Sequence, residues 1–197
     1  MLHRFPHYYP AFRCIDGACR DNCCRAGWEI DIDPDTLARY RRVPGELGRR
    51  LDEQIDSSGE APCFRLDREG VCPFLTREGL CELYLRLGPD ALCEICREHP
   101  RFHSWHGPFR ESGLGLCCEE ACRLILTDRA PFALLEQTDP EPEEPAEDPL
   151  FLSRVEEVRR VCFAVAQDRC RTVRQRMQLL LCLGDELQEL IGEGREE

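Results

Sequence analysis

The sequence predicts a mainly α-helical fold with small β-hairpins, in which a cysteine-rich, metal-centred domain precedes a helical pair. Twelve of the fifteen cysteines of this 197-residue chain lie between Cys14 and Cys122. After residue 150, apolar residues recur at spacings of three and four, which is typical of amphipathic helices. Residues 137–149 contain four prolines and six acidic residues, the composition of an exposed linker. We therefore expect a cysteine-cluster domain at 1–136, an acidic Pro-rich linker at 137–149 and a helical hairpin at 150–197.

Several helix-start signals occur in the first domain. Asp33 can serve as an N-cap with Pro34 at the first helical position, which predicts a helix to about Arg42. Pro44-Gly45 then starts a second helix towards Ile55. Two further helices are expected at 89–96 and 116–127.

Two short hairpins are expected in the same domain. Residues 64–66 and 71–74 flank a turn at 67–70. Residues 102–105 and 109–111 are joined through Gly107-Pro108.

Two apolar stripes define the helical pair. Thr172 and Gln175 have the spacing of a capping box, so the break between the helices is expected at 168–171. The stripes consist of Phe151, Val155, Val158, Cys162 and Val165, then Val173, Met177, Leu180, Gly184, Leu187 and Ile191.

The cysteine usage indicates thiolate ligation more strongly than disulfides. A dense set of cysteines in a small secreted chain forms a disulfide framework. Here the start of the chain lacks the apolar stretch of a signal peptide, and the cysteine count is odd. No segment approaches the roughly 18 apolar residues of a membrane span. We expect a reducing, cytoplasmic compartment and no membrane.

The formal net charge of −12 argues against a nucleic-acid-binding protein, which would need a basic surface. An acidic surface favours a basic or lysine-bearing protein partner by electrostatic steering, or serves solubility alone.

Cysteines with short spacers predict a centre of zinc or of iron and sulfur, most simply a [4Fe–4S] cluster. Spacing does not distinguish the two, nor one centre from two. Cys117, Cys118 and Cys122 form a third cluster, for which ligation and packing are equally good interpretations. The predicted metal ligands are Cys14, Cys19, Cys23, Cys24, Cys72, Cys81, Cys93 and Cys96.

Several motifs resemble the bacterial flagellin lysine-N-methylase family, and the cysteine part resembles the family of zinc- or iron-chelating cysteine-cluster domains. These motifs are YYPAFRC at 8–14, GWEIDID at 27–33, CPFL at 72–75, GLCELY at 79–84, LCEICREHPRF at 92–102 and SGLGLCCEEA at 112–121. The resemblance implies transfer of a methyl group from S-adenosylmethionine to lysines of flagellin or another lysine-bearing protein, with an iron–sulfur cluster involved.

Within that interpretation, His99 and Glu94 are candidate bases for removing the proton from the lysine amine. Two alternatives remain open: a non-catalytic zinc- or iron-chelating or electron-carrying protein, and zinc that serves only to stabilise the fold.

Overall fold

The computed structural model describes residues 1–140 and 148–192. The prediction of a mainly α-helical fold needs correction: the fold is mixed, with 47% helix and 15% strand among the described residues. The α-helices are α1 (Pro34–Tyr40), α2 (Gly45–Gln54), α3 (Glu82–Leu87), α4 (Glu94–Glu98), α5 (Glu119–Thr127), α6 (Pro149–Gln167) and α7 (Val173–Gly192). The strands are β1 (Leu2–Pro6), β2 (Ile55–Asp56), β3 (Cys63–Phe64), β4 (Arg101–Trp105), β5 (Phe109–Leu114) and β6 (Leu134–Thr138). No helix in the described part of the chain is long and apolar enough to cross a membrane.

The helices that start at recognisable caps are confirmed. The carboxylate of Asp33 accepts a hydrogen bond from the backbone N–H of Thr36 at 2.9 Å, and α1 begins at the next residue, Pro34. The capping box also forms: Gln175 N–H donates to Thr172 Oγ1 at 3.3 Å, and Thr172 N–H donates to Gln175 Oε1 at 2.9 Å. The two helices of the hairpin separate where the sequence predicted.

Two local predictions need correction. The hairpin of 64–66 with 71–74 is wrong, because β3 pairs antiparallel with β2 instead. The turn itself is present, since Gly70 N–H donates to the carbonyl of Asp67 at 3.1 Å. The helix predicted at 89–96 is a 3₁₀ turn at Pro89–Ala91 followed by α4, because Leu92 and Cys93 have extended backbone.

The four-stranded sheet has the order β4-β5-β1-β6. The hairpin of β4 with β5 was predicted and is confirmed. Strands β1 and β6 were not predicted: β1 runs parallel to β5, with Leu2 opposite Phe109, and antiparallel to β6, with Leu2 opposite Thr138. These pairings join segments that are far apart in sequence, so no local periodicity announces them.

The chain divides into two compact units. The cavity unit comprises Tyr8–His103 and Ser112–Asp128, and the sheet–hairpin unit comprises Met1–His7, Ser104–Glu111 and Arg129–Glu197. The predicted linker overlaps β6 at Gln137 and Thr138, and its residues 141–147 lie outside the described residues. The predicted domain boundaries therefore stay a prediction.

The cavity unit has a core of large side chains. Leu51 is completely buried, and Tyr40 and Phe74 are each 1% exposed. The Phe64 and Phe74 rings pack with centroids 5.1 Å apart. Cys72 and Cys93 belong to the same core cluster, so this core places two cysteines directly.

Candidate metal centre

A cavity of about 340 Å³ lies within the cavity unit. All eight cysteines predicted as ligands lie on its wall, together with one from the third cluster. The lining cysteines are Cys14, Cys19, Cys23, Cys24, Cys72, Cys81, Cys93, Cys96 and Cys118. Thiols from well-separated parts of the sequence therefore face one space.

Backbone contacts bring the first two cysteine segments together. Cys72 N–H donates to the carbonyl of Cys24 at 2.8 Å. Nearby, Gly70 has φ of 77°, and a Cβ on it would lie 2.7 Å from the Cα of Gly27. This approach requires glycine, because any side chain at Gly70 would meet backbone.

Asn22 holds the same segment from its other end. Its side-chain oxygen accepts from the N–H of Cys24 at 2.9 Å, and its amide donates to the carbonyl of Gly79 at 3.0 Å. Asn22 thus connects the Cys23-Cys24 pair to the loop that leads into Cys81. The sequence prediction missed this residue, although an asparagine directly before two cysteines is a typical capping signal.

The Cys93–Cys96 pair lies at the start of α4 and is held by α1. Asp33 caps α1 and also accepts from the N–H of Glu94 at 2.9 Å. The Tyr40 hydroxyl donates to the carbonyl of Ala91 at 2.7 Å and lies 3.6 Å from Cys93 Sγ. Nothing in the sequence indicated Tyr40, because its contacts with this loop are made 51 residues away along the chain.

Neighbouring thiols in the cavity differ in acidity. Hydrogen bonding from Cys96 lowers the pKa of Cys93, and the same bond with burial raises the pKa of Cys96. Hydrogen bonding from Cys24 likewise lowers the pKa of Cys72. Hydrogen bonding with Cys23 by itself would lower the pKa of Cys24. The hydrogen bond between Cys24 and Cys72, together with burial, outweighs that effect and raises the pKa of Cys24 to about 12.

Three further thiols on the wall, those of Cys19, Cys23 and Cys81, are weaker acids than usual. Hydrogen bonding to Cys24, with burial, raises the pKa of Cys23, and burial raises the pKa of Cys81. Burial and a hydrogen bond to Glu119 raise the pKa of Cys19 to about 11. Ligation of a metal would therefore release protons from this wall, because the thiolate is the ligand.

The donor set fits a soft metal centre in its chemistry. All fifteen cysteines are free thiols, so none of the candidate ligands is used in a disulfide. Within residues 1–140 and 148–192, no group of three or more His, Cys, Asp or Glu side chains already has an arrangement that could hold a metal ion. The fit therefore rests on donor type and a shared cavity, and the metal-centred architecture stays a prediction.

Sequence comparisons show which known proteins the chain is similar to. No protein-family model matches the chain, and no solved structure matches it. Lysine-N-methylases from Salmonella typhimurium and Salmonella choleraesuis are each 30% identical over 139 residues, covering 68% of this chain and 34% of theirs. The flagellar biosynthetic protein FliU of Salmonella muenchen is 29% identical over 138 residues, which is 67% of this chain and 81% of that protein.

Over about two thirds of its length, the chain is a distant relative of these proteins named lysine-N-methylase. It spans about a third of the length of the curated lysine-N-methylases that it matches.

The two candidate bases, His99 and Glu94, have different positions. His99 lies on the cavity wall, with its ring edge-on to Trp28 at a centroid distance of 4.5 Å. Its Nε2 atom is buried without a hydrogen-bond partner among the described residues. Burial also lowers the pKa of His99. Glu94 is exposed and is not among the lining residues.

The three cysteines of the third cluster have different positions. Cys118, immediately before α5, lies on the wall, whereas Cys117 is exposed and Cys122 does not line the cavity. The predicted set of metal ligands left out Cys118, because helical cysteines are as often packing residues as ligands.

Proposed function

We propose that this chain takes part in the methylation of lysine side chains of flagellin, with S-adenosylmethionine as methyl donor and a thiolate-held iron–sulfur cluster or zinc ion in its cavity. The similarity to proteins named lysine-N-methylase over 68% of the chain carries this proposal. The name of the third relative, a flagellar biosynthetic protein, supports flagellin as the substrate.

The proposed reaction needs a base beside the methyl acceptor. A lysine ammonium group has no lone pair, so it must lose a proton before its nitrogen attacks a methyl group. We assign this task to His99, because burial favours its neutral imidazole and Nε2 has no hydrogen-bond partner among the described residues. The exposed position of Glu94 makes it the weaker choice.

The proposed centre would be held by a subset of the eight predicted cysteines, with Cys118 as a ninth candidate. Cys72 and Cys93 are the first choices, because neighbouring thiols lower their pKa values and both lie in the core. When bound, zinc would supply a Lewis acid or a structural cross-link, and an iron–sulfur cluster an electron-transfer or structural centre. Fifteen free thiols also support a reducing compartment such as the cytoplasm.

The test is a methyl-transfer assay with anaerobically purified full chain, radiolabelled S-adenosylmethionine and unmethylated flagellin. We expect label on flagellin lysines and a loss of at least about tenfold in rate for His99→Phe, as for a general base. Folded, metal-loaded protein that neither binds S-adenosylmethionine nor labels flagellin would overturn the proposal.

Metal and sulfide analysis tests the centre separately. Cys93→Ser and Cys96→Ser should each lower the metal bound per chain, while Cys182→Ser, an exposed thiol of α7, should leave it unchanged. Iron with labile sulfide identifies a cluster, and zinc alone identifies a zinc site. Equal metal content in all three variants would exclude the Cys93–Cys96 pair as ligands.

A second candidate function is a non-catalytic zinc- or iron-chelating protein. It is supported by the nine cysteines that share the cavity wall, a set of donors that can bind metal without a methyl donor. This alternative predicts metal binding with the same cysteine dependence but no binding of the methyl donor.

A further inference from the structure

Arg101 is a charged side chain on the cavity wall that is held in place by aromatic rings. Its guanidinium carbon lies 5.1 Å from the centroid of the Phe12 ring and 5.9 Å from that of Tyr9. Phe12 is itself 2% exposed, so this platform is part of the core. The backbone on its N-terminal side is also fixed, because Gly115 N–H donates to the carbonyl of Pro100 at 2.8 Å.

Stacking on a ring uses the face of a guanidinium group and leaves its N–H edges available. Within residues 1–140 and 148–192, no hydrogen bond or ion pair occupies those edges of Arg101. The other two arginines on the wall are engaged: Arg13 donates to the carbonyls of Pro10 and Phe12, and Arg97 lies 3.5 Å from Glu98. Arg101 is thus the positive group of the wall that is positioned for a ligand.

A fixed guanidinium fork with free edges is suited to a carboxylate, which it can bind through two parallel hydrogen bonds. The acidic groups on the wall do not supply one: Glu120 is paired with Arg123 at 2.6 Å, and Asp16 and Asp21 are exposed. The acidic side chains that line the cavity therefore leave the N–H edges of Arg101 available to a bound molecule.

We propose that Arg101 binds the carboxylate at the amino-acid end of S-adenosylmethionine. This inference rests on the proposed function and assigns a specific group of the methyl donor to a specific residue. It makes Arg101 a binding residue and leaves the proton-transfer role to His99.

The experiment compares the binding of S-adenosylmethionine with that of its decarboxylated analogue, using the purified, metal-loaded full chain. The analogue is the more positive of the two, so the chain's net charge of −12 attracts it more strongly by itself. A preference for S-adenosylmethionine therefore reports a local site. We expect the wild-type chain to bind S-adenosylmethionine about ten- to a hundredfold more tightly, the range of one charge-assisted contact.

Arg101→Gln should abolish this preference, and Arg101→Lys, which keeps the charge but not the fork, should reduce it. Arg97→Gln is the matched control, because it removes the same charge from the same wall and should keep the preference within about twofold. The ratio of the two affinities is measured on folded protein, which circular dichroism verifies for each variant. If Arg101→Gln does not fold, Arg101→Lys decides.

The possible failures are distinguishable. Arg101 variants that retain the full preference, or an Arg97→Gln variant that loses it equally, would overturn the carboxylate site while the methyl donor still binds. A wild-type chain that binds neither compound would overturn the proposed function itself.

Discussion

The cavity unit and the sheet–hairpin unit are stabilised in different ways. Of the fifteen apolar side chains buried in the described part of the chain, thirteen belong to the cavity unit, and the sheet–hairpin unit has Phe5 and Phe109. The latter unit instead has ion pairs along its strands and α6, such as Arg159 with Glu111 at 2.6 Å and Arg110 with Asp139 at 2.5 Å.

Because of this difference, a mutation or a change of conditions should affect the stability of the two units differently. In the cavity unit, core packing and the thiol wall share residues, because Cys72 and Cys93 belong to both. Stability and ligand binding are therefore coupled there. In the sheet–hairpin unit, helix caps and surface charges determine local stability, and each contributes little by itself.

Removal of the metal proposed for the cavity should have the largest effect. At a free metal concentration a thousandfold above the dissociation constant, binding contributes about 4 kcal/mol to stability. Hydrogen exchange measured with and without a strong chelator should show lost protection in α3 and α4 of the cavity unit. Protection in α6 and α7 should change little. An equal loss of protection in both units would contradict the expectation that the metal stabilises the cavity unit alone.

Truncation of the core should come next. Leu51→Ala removes a completely buried side chain of the cavity unit and should lower the free energy of unfolding by about 2–5 kcal/mol. Leu181→Ala, at a side chain that is 70% exposed on α7, should change it by less than about 0.5 kcal/mol. Urea unfolding measures both values. A similar cost for the two variants would show that the α7 residue is covered in solution.

The two helix caps should differ in cost. Thr172→Ala removes a cap at the exposed start of α7 and should cost about 1 kcal/mol. Asp33→Ala should cost more, about 2 kcal/mol, because the carboxylate of Asp33 also accepts from the N–H of Glu94 at 2.9 Å. Thermal unfolding followed by circular dichroism ranks the pair, and equal costs would argue against a role of Asp33 beyond α1.

The same carboxylate gives a pH dependence. Burial would raise the pKa of Asp33, but the N–H groups of Glu94 and Thr36 outweigh it and lower the pKa. The stability from a lowered pKa is present above the ordinary Asp value of about 3.9 and is lost as pH falls through the folded-state pKa. Asp33→Asn should therefore lose less stability than the wild type between about pH 5 and pH 2. An equal loss of stability with falling pH in the two proteins would contradict this expectation.

Breaking an ion pair should have the smallest effect. Arg159→Met removes a two-bond contact with Glu111, at 2.6 and 2.8 Å, and should destabilise the sheet–hairpin unit by about 1 kcal/mol or less. The difference from wild type should shrink in high salt, because screening weakens the pair in the wild type. Arg160→Met, at a residue whose side chain is 76% exposed, is the matched control and should be neutral. A salt-independent cost at Arg159 would indicate lost packing.

Local signals in the sequence predicted much of the fold. Asp33 and Pro34 predicted α1, and Thr172 with Gln175 predicted the start of α7, because a helix cap involves residues within one turn of each other. Strand pairing was harder: β1 pairs with segments more than 100 residues away, and β3 pairs with β2 instead of with its nearest apolar neighbour.

The sequence by itself determined the helical pair, the dense set of cysteines and the family resemblance, because these depend on short motifs and on residue type. Only the tertiary structure decided which side chains share a space. It placed nine cysteines on one wall, aimed Tyr40 at the Cys93 loop and stacked Arg101 on Phe12. Those neighbours are set by packing between segments far apart in the chain, and packing of that kind leaves no periodic signal in the sequence.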